Sequence, residues 1–91
     1  IADETSTPDR EMLDGALEDV VEKGLSRLNP EFRQAVVLAD LEGMAYDEVA
    51  VVMNTSVGTV RSRIHRGRKM LRNYLKIHAP ELYGRYEDDL S

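Results

Sequence analysis

Two patterns coincide near the C-terminal end of this chain and restrict it more than anything else in the sequence. Residues 55–79 contain no Asp or Glu and seven basic side chains: Arg61, Arg63, Arg66, Arg68, Lys69, Arg72 and Lys76. Within the same stretch Val57, Val60, Ile64, Gly67, Leu71 and Leu75 recur at steps of three and four, the spacing of one helical face. A long amphipathic helix over about residues 57–77 follows, capped by Ser56 and ending before Pro80. On a wheel of ~100° per residue, Val60, Ile64, Gly67, Leu71 and Leu75 form the buried side. Ser62, His65, Arg66 and Lys69 point the opposite way, with Gly58, Thr59 and Asn73 close by. Arg61, Arg68 and Arg72 flank one edge of that stripe and Arg63 flanks the other.

The remaining segments read as shorter helices. Residues 1–7 are polar and acidic without periodicity, which suits a flexible lead-in from an absent upstream domain. Thr7-Pro8-Asp9 is a helix start, and Leu13, Leu17, Val20 or Val21, Gly24 and Leu28 predict an amphipathic helix over about residues 8–28, weakened by Gly15 and Gly24. Asn29-Pro30-Glu31 repeats the start signal. Phe32, Ala35, Val36, Val37, Leu38, Ala39 and Leu41 then form an apolar helix that Gly43 stops. Tyr46 to Met53 makes two more turns, with Val49, Ala50, Val52 and Met53 expected inside. Asn54 tolerates the left-handed conformation needed by a sharp turn. The acidic tail, residues 79–91, is expected to be disordered, although Leu82, Tyr83 and Tyr86 stand at helical spacing.

This is an all-α pattern of about four helices, with the folded domain at residues 8–78. Ninety-one residues, 42% of them hydrophobic, supply one modest core and leave no room for a second domain. Cysteine is absent, which removes disulfides, thiolate metal sites and cysteine nucleophiles, and suits a reducing cytoplasm. Nothing approaches the ~18 consecutive apolar residues of a membrane span, so no membrane insertion is expected. Ile1 is not an initiator methionine, so the chain is expected to be a piece of a longer protein. The net charge of −5 argues at first against an anionic partner. It conceals a +7 segment set against −12 elsewhere, a sign asymmetry that points to a local anionic ligand.

A short helix, a tight turn at Asn54 to Ser56 and a second helix carrying the cations make a helix-turn-helix. Small Ala50 sits where the two helices must cross closely. A helix that enters the DNA major groove needs donors along its centre and long cations on both flanks for the phosphate walls. Arg66 is the best base reader, because its planar fork matches the two acceptors on a guanine edge. Ser62 and His65 add a hydrogen bond or contact with a thymine methyl. Thr59 and the amides of the first turn, around Ser56 and Gly58, suit a phosphate. Arg61, Arg63, Arg68 and Lys69 complete the expected DNA-binding set.

Catalysis has no support. His65 lacks a carboxylate or second histidine one turn away and is surrounded by cations, which disfavours a metal. Asp88-Asp89 lies in a polar tail with no pocket to perturb it. No glycine-rich phosphate loop occurs, no cofactor is implied, and the chain is expected not to be an enzyme.

Three blocks carry a resemblance: Leu28-Asn29-Pro30-Glu31-Phe32-Arg33 through Val36-Val37-Leu38; Asp40-Leu41-Glu42-Gly43-Met44-Ala45-Tyr46-Asp47-Glu48-Val49-Ala50; and Val57-Gly58-Thr59-Val60-Arg61-Ser62-Arg63-Ile64-His65-Arg66-Gly67-Arg68. Over about residues 12–76 the chain resembles region 4 of the extracytoplasmic-function (ECF) bacterial sigma factors. The resemblance implies a four-helix domain that binds the minus-35 promoter element, contacts the flap of the RNA polymerase β subunit and is open to sequestration by an anti-sigma factor. It also implies that Arg61, Ser62, Arg63, His65 and Arg66 lie on or beside the DNA-reading surface. The chain departs from the family where Ala45 replaces a frequent Ser, leaving only the Glu48 half of a capping box. Asn54 replaces a common Gly, and His65 stands at a variable position expected to tune base preference. Two other readings compete: a module chiefly for protein contact with the flap or an anti-sigma factor, and the DNA-binding domain of a response regulator.

Overall fold

The structure, a computed structural model, describes residues 8–84, with side chains described from Gly15 onward. The described residues are helical, without strands, in agreement with the all-α expectation. Four helices appear in chain order: α1 over Pro8–Ser26, α2 over Pro30–Val36, α3 over Tyr46–Met53 and α4 over Val57–His78. Helix α2 runs directly into a π-helical turn, Val37–Leu41.

Helix α4 is the axis on which the others assemble, and its buried residues are Val60, Ile64, Gly67, Leu71 and Leu75, the row expected from the spacing. Its N-terminal half enters a cluster with Ala35, Val49 and Ala50, joining α2 and α3 to it. Its C-terminal half enters a second cluster, where Leu71 and Leu75 meet Leu17, Leu25, Leu28 and Val36. One helix therefore anchors two small cores, and its remaining faces are free for other uses.

Two glycines set how closely the helices approach α4. A Cβ on Gly67 would stand 2.6 Å from Val36 Cγ2 and 3.2 Å from the Phe32 carbonyl oxygen, so the crossing of α2 over α4 requires no side chain there. A Cβ on Gly24 would stand 2.6 Å from Leu71 Cδ1 and 2.9 Å from Tyr74 Cδ1. Gly24 is thus a packing residue inside an unbroken α1, in keeping with its place in the periodic row and not a break in the helix. Helix α1 stops at Ser26, two residues early. The turn beyond it is held by the Arg27 and Leu28 N–H groups donating to the Gly24 and Leu25 carbonyls, each at 3.1 Å. The start signal at Thr7 falls outside the described residues.

Local chemistry explains the joints. Asn54 adopts φ 55°, ψ 53°. The Thr55 N–H donates to the Ala50 carbonyl at 3.0 Å and the Asn54 N–H to the Val51 carbonyl at 3.1 Å, the paired bonds of a Schellman stop. Ser56 Oγ accepts from the Thr59 N–H at 3.1 Å and caps α4. At α3 only half a capping box exists: Glu48 Oε1 accepts from the Ala45 N–H at 3.0 Å, and alanine has no oxygen to return the bond.

Three sequence expectations need correction. Val52 is 53% exposed while Val49 and Ala50 are buried; a step of −60° from Val49 turns it away from an inner face that runs through Ala50 and half-buried Met53. The helix from Pro30 does end before Gly43, but through a widened turn in which the Glu42 N–H donates to the Val37 carbonyl at 3.0 Å. The tail does not leave the domain at residue 79. Ala79 is buried, Pro80 opens a further helical turn through residue 84, and Leu82 and Tyr83 pack on the Leu71–Leu75 cluster. Pro80 both stops α4 and suits the first position of a new turn. Tyr86 and Asp88-Asp89 fall outside the described residues.

Candidate nucleic-acid interface

Because α4 buries one row of residues completely, its opposite side is presented to solvent. Arg61, Ser62, His65, Arg66 and Lys69 are exposed, as are Ser56 and Gly58 at the helix start; Thr59, Arg63 and Arg68 are half-buried. The structure therefore brings the sequence-derived set onto one helix, with Ser62, His65, Arg66 and Lys69 on the face away from the core.

The first three turns of α4 border a cleft of about 470 Å³ lined by Glu31, Phe32, Ser56, Gly58, Thr59, Ser62, Arg63 and Arg66. Five of the expected residues besides Ser62 thus share one surface. The Ser56 hydroxyl is committed to structure, since it accepts from the Thr59 N–H and donates to Thr59 Oγ1 at 3.0 Å. Glu31 and Phe32, from the start of α2, were not anticipated here; their approach depends on the α2–α4 crossing at Gly67, which has no local signal.

Arg61 and Arg68 flank the same edge but have different surroundings. Arg61 lies over the ring of Tyr46, with Cζ 5.8 Å from the centroid. Arg68 donates from Nε to Asp40 Oδ2 at 2.7 Å and from Nη2 to Asp40 Oδ1, a two-pronged ion pair with the π-helical turn. The Arg68 guanidinium is therefore a brace between α4 and the π-helical turn, unlike the outward cations beside it. Nothing in the sequence links Asp40 to a residue 28 positions later.

A second surface lies on the other side of α2. A largely apolar groove of about 590 Å³ is lined by Leu17, Val21, Leu25, Val37 and Leu41, with Glu18, Glu22 and Arg33 on its rim. Leu41 is 62% exposed, because it ends the π-helical turn.

A short helix, a left-handed turn and a second helix with a cationic outer stripe define a helix-turn-helix domain of the kind that enters a DNA groove. Comparison with known proteins gives the family. Residues 19–71 match the family model described as "Sigma-70, region 4", which covers α4 as far as Leu71 together with α2 and α3. The chain belongs to this family, as the resemblance implied. It is 46% identical over 78 residues to the ECF RNA polymerase sigma factor SigE of Mycolicibacterium smegmatis, covering 86% of this chain and 30% of that protein. It is 40% identical over 73 residues to the ECF RNA polymerase sigma-E factor of Haemophilus influenzae, covering 80% and 39%. The sigma-E factor of Escherichia coli K12 is 40% identical over 70 residues, covering 77% and 37%. The chain thus spans about a third of the length of these curated relatives, and what it resembles in them is region 4 of an ECF sigma factor.

Proposed function

We propose that this chain is the promoter-reading module of an ECF-type sigma factor, using α4 to recognise the minus-35 element and so directing RNA polymerase in transcription initiation. The observation that carries this reading is the α4 division. One row is fully buried in two cores, while Arg66, Ser62, His65 and Lys69 stand exposed opposite it. The rigid core fixes the helix, and the free stripe offers a guanidinium fork flanked by phosphate-reaching cations. Thr59 and the first-turn amides serve a phosphate, and Arg61 and Arg63 reach the two walls of the groove. The role is binding, not catalysis.

Fluorescence anisotropy with a labelled duplex, selected by the wild-type chain from a randomised pool, tests this. If about five phosphates are neutralised, the log–log salt slope is about −4 to −5. Arg66→Ala abolishes discrimination between the selected duplex and a scrambled one, whereas Lys23→Ala, on the exposed last turn of α1, does not. Equal effects of the two changes, or affinity indifferent to salt, defeat the assignment.

The apolar groove supports a second, compatible role in protein contact. An exposed leucine above Leu17, Val21 and Val37, with carboxylates on the rim, suits an amphipathic segment such as the flap of the polymerase β subunit or part of an anti-sigma factor. A polymerase-bound role of this kind is a cytoplasmic one. No helix among the described residues is long and apolar enough to cross a membrane. The relatives reported above are sigma factors, which favours this reading over a response-regulator output domain.

A further inference from the structure

We infer that Tyr46 is a positioning residue for DNA binding: its ring is a platform that holds the Arg61 guanidinium ready for a backbone phosphate on the α3 side of the groove. The inference rests on the promoter-reading role proposed above and adds to it a residue outside the recognition helix.

Four observations converge. Tyr46 is the first residue of α3, half-buried, and packed on the cluster formed by Ala35, Val49, Ala50, Val60 and Ile64, so its ring is fixed by the same core that fixes α4. Arg61 is exposed, one residue past Val60 of that core, and its Cζ lies 5.8 Å from the ring centroid, within cation–π range. The acidic neighbours of Tyr46 are engaged by backbone. Asp47 Oδ1 accepts from the Glu48 N–H at 2.9 Å, and Glu48 Oε1 accepts from the Ala45 N–H at 3.0 Å. The ring, not a hydrogen-bonded carboxylate, is therefore what meets the Arg61 head group, and its N–H donors are not spent there. Finally, the contact draws Arg61 from the edge of α4 to the first turn of α3, where the exposed Asp47 and Glu48 carboxylates offset the positive helix end and leave Arg61 as the cation a phosphate meets.

The physical benefit is preorganisation. A solvent-exposed arginine loses rotamer freedom when it grips a phosphate, and that loss is subtracted from affinity. A ring beneath the guanidinium removes part of the freedom beforehand without competing for the N–H donors. Arg68, held by Asp40, shows the opposite arrangement, in which the partner is a carboxylate and both Nε and Nη2 donate to it. The other two cation–π pairs among the described residues, Arg27 with Tyr74 and Lys76 with Tyr83, lie away from the first turns of α4.

The test is a double-mutant cycle on the full chain with the selected duplex: Tyr46→Phe, Tyr46→Leu, Arg61→Gln and the double variant Tyr46→Leu/Arg61→Gln. Leucine keeps apolar packing at the core edge, and thermal unfolding verifies that each variant is folded. Tyr46→Phe retains wild-type affinity. Tyr46→Leu weakens binding about two- to fivefold, the range of an exposed cation–π contact, and shifts the salt slope toward that of Arg61→Gln. In the Arg61→Gln background Tyr46→Leu has no further effect. Additive losses would overturn the proposal, because the ring would then act independently of Arg61; so would a Tyr46→Phe loss equal to that of Tyr46→Leu, which would assign the effect to the hydroxyl. An NMR measurement without DNA separates this from failure of the promoter-reading role. An upfield ring-current shift of the Arg61 side-chain protons, present in wild type and Tyr46→Phe and lost in Tyr46→Leu, supports the platform, and its absence in wild type refutes it even if promoter binding stands.

Discussion

At the scale of single residues, the features legible in the sequence are those whose partners are local. Asn54 takes the left-handed conformation its residue type permits, Ser56 caps α4 through a bond to Thr59 three residues on, and both follow from short-range rules. Ala45 belongs to the same class and gives a direct prediction. It has the extended N-cap conformation, φ −69° and ψ 153°, and Glu48 already accepts its N–H. The side-chain oxygen is missing, and the Glu48 N–H that it would bind is held instead by Asp47 Oδ1 at 2.9 Å. Ala45→Ser therefore exchanges that contact for a completed capping box and raises the unfolding free energy by only about 0.5 kcal/mol, the low end for a cap, measured by urea denaturation with an unchanged m-value. A serine variant no more stable than wild type would show that the Asp47 carboxylate already satisfies this amide as well as serine does. Glu31, Asp40 and Tyr46 are illegible for the complementary reason: each matters through a residue 15 to 36 positions away, and neither propensity nor spacing encodes that distance.

At the scale of elements, periodicity fixes faces well and fails where the helical period itself changes. The buried row of α4 is read correctly because twenty-two residues sample the 3.6-residue period many times. Two turns of α3 sample it too little, which is why the spacing alone puts Val52 inside although it is exposed. The π-helical turn escapes prediction because i→i+5 bonding widens the helix without a distinctive residue. Its consequences are functional: it delivers Asp40 to Arg68 and leaves Leu41 exposed at the rim of the α1–α2 groove. If that groove docks a polymerase or anti-sigma segment, Leu41→Asp weakens capture of the isolated β-flap segment at least tenfold. Since Leu41 is 62% exposed, stability changes by less than about 1 kcal/mol. Duplex binding is retained, because the groove lies away from the α4 stripe. Loss of duplex affinity in parallel with flap capture would show the two surfaces to be coupled and remove the case for separate roles.

At the scale of the whole molecule, the net charge of −5 is the sum of a cationic recognition helix and acidic surroundings that serve different purposes. Glu18, Asp19 and Glu22 are exposed on α1, which packs against the C-terminal half of α4 and is not part of the helix-turn-helix. Their field reaches a DNA chain lying on α4 only when salt permits: the screening length is about 30 Å at 0.01 M and about 8 Å at 0.15 M. They repel any duplex, whatever its sequence, whereas Arg66 and its neighbours reward one sequence. The acids therefore lower nonspecific affinity more than they lower the ratio of specific to nonspecific binding. Neutralising Glu18, Asp19 and Glu22 to Gln, Asn and Gln is expected to raise affinity for random-sequence duplex severalfold at 0.01 M salt and to change it little at 0.15 M. The selected and scrambled duplexes should gain in equal proportion. Anisotropy titrations of both duplexes at the two salt concentrations decide it. A gain that persists at 0.15 M would mean that the carboxylates act at short range on bound DNA, and a gain confined to one sequence would place them in the recognition surface itself.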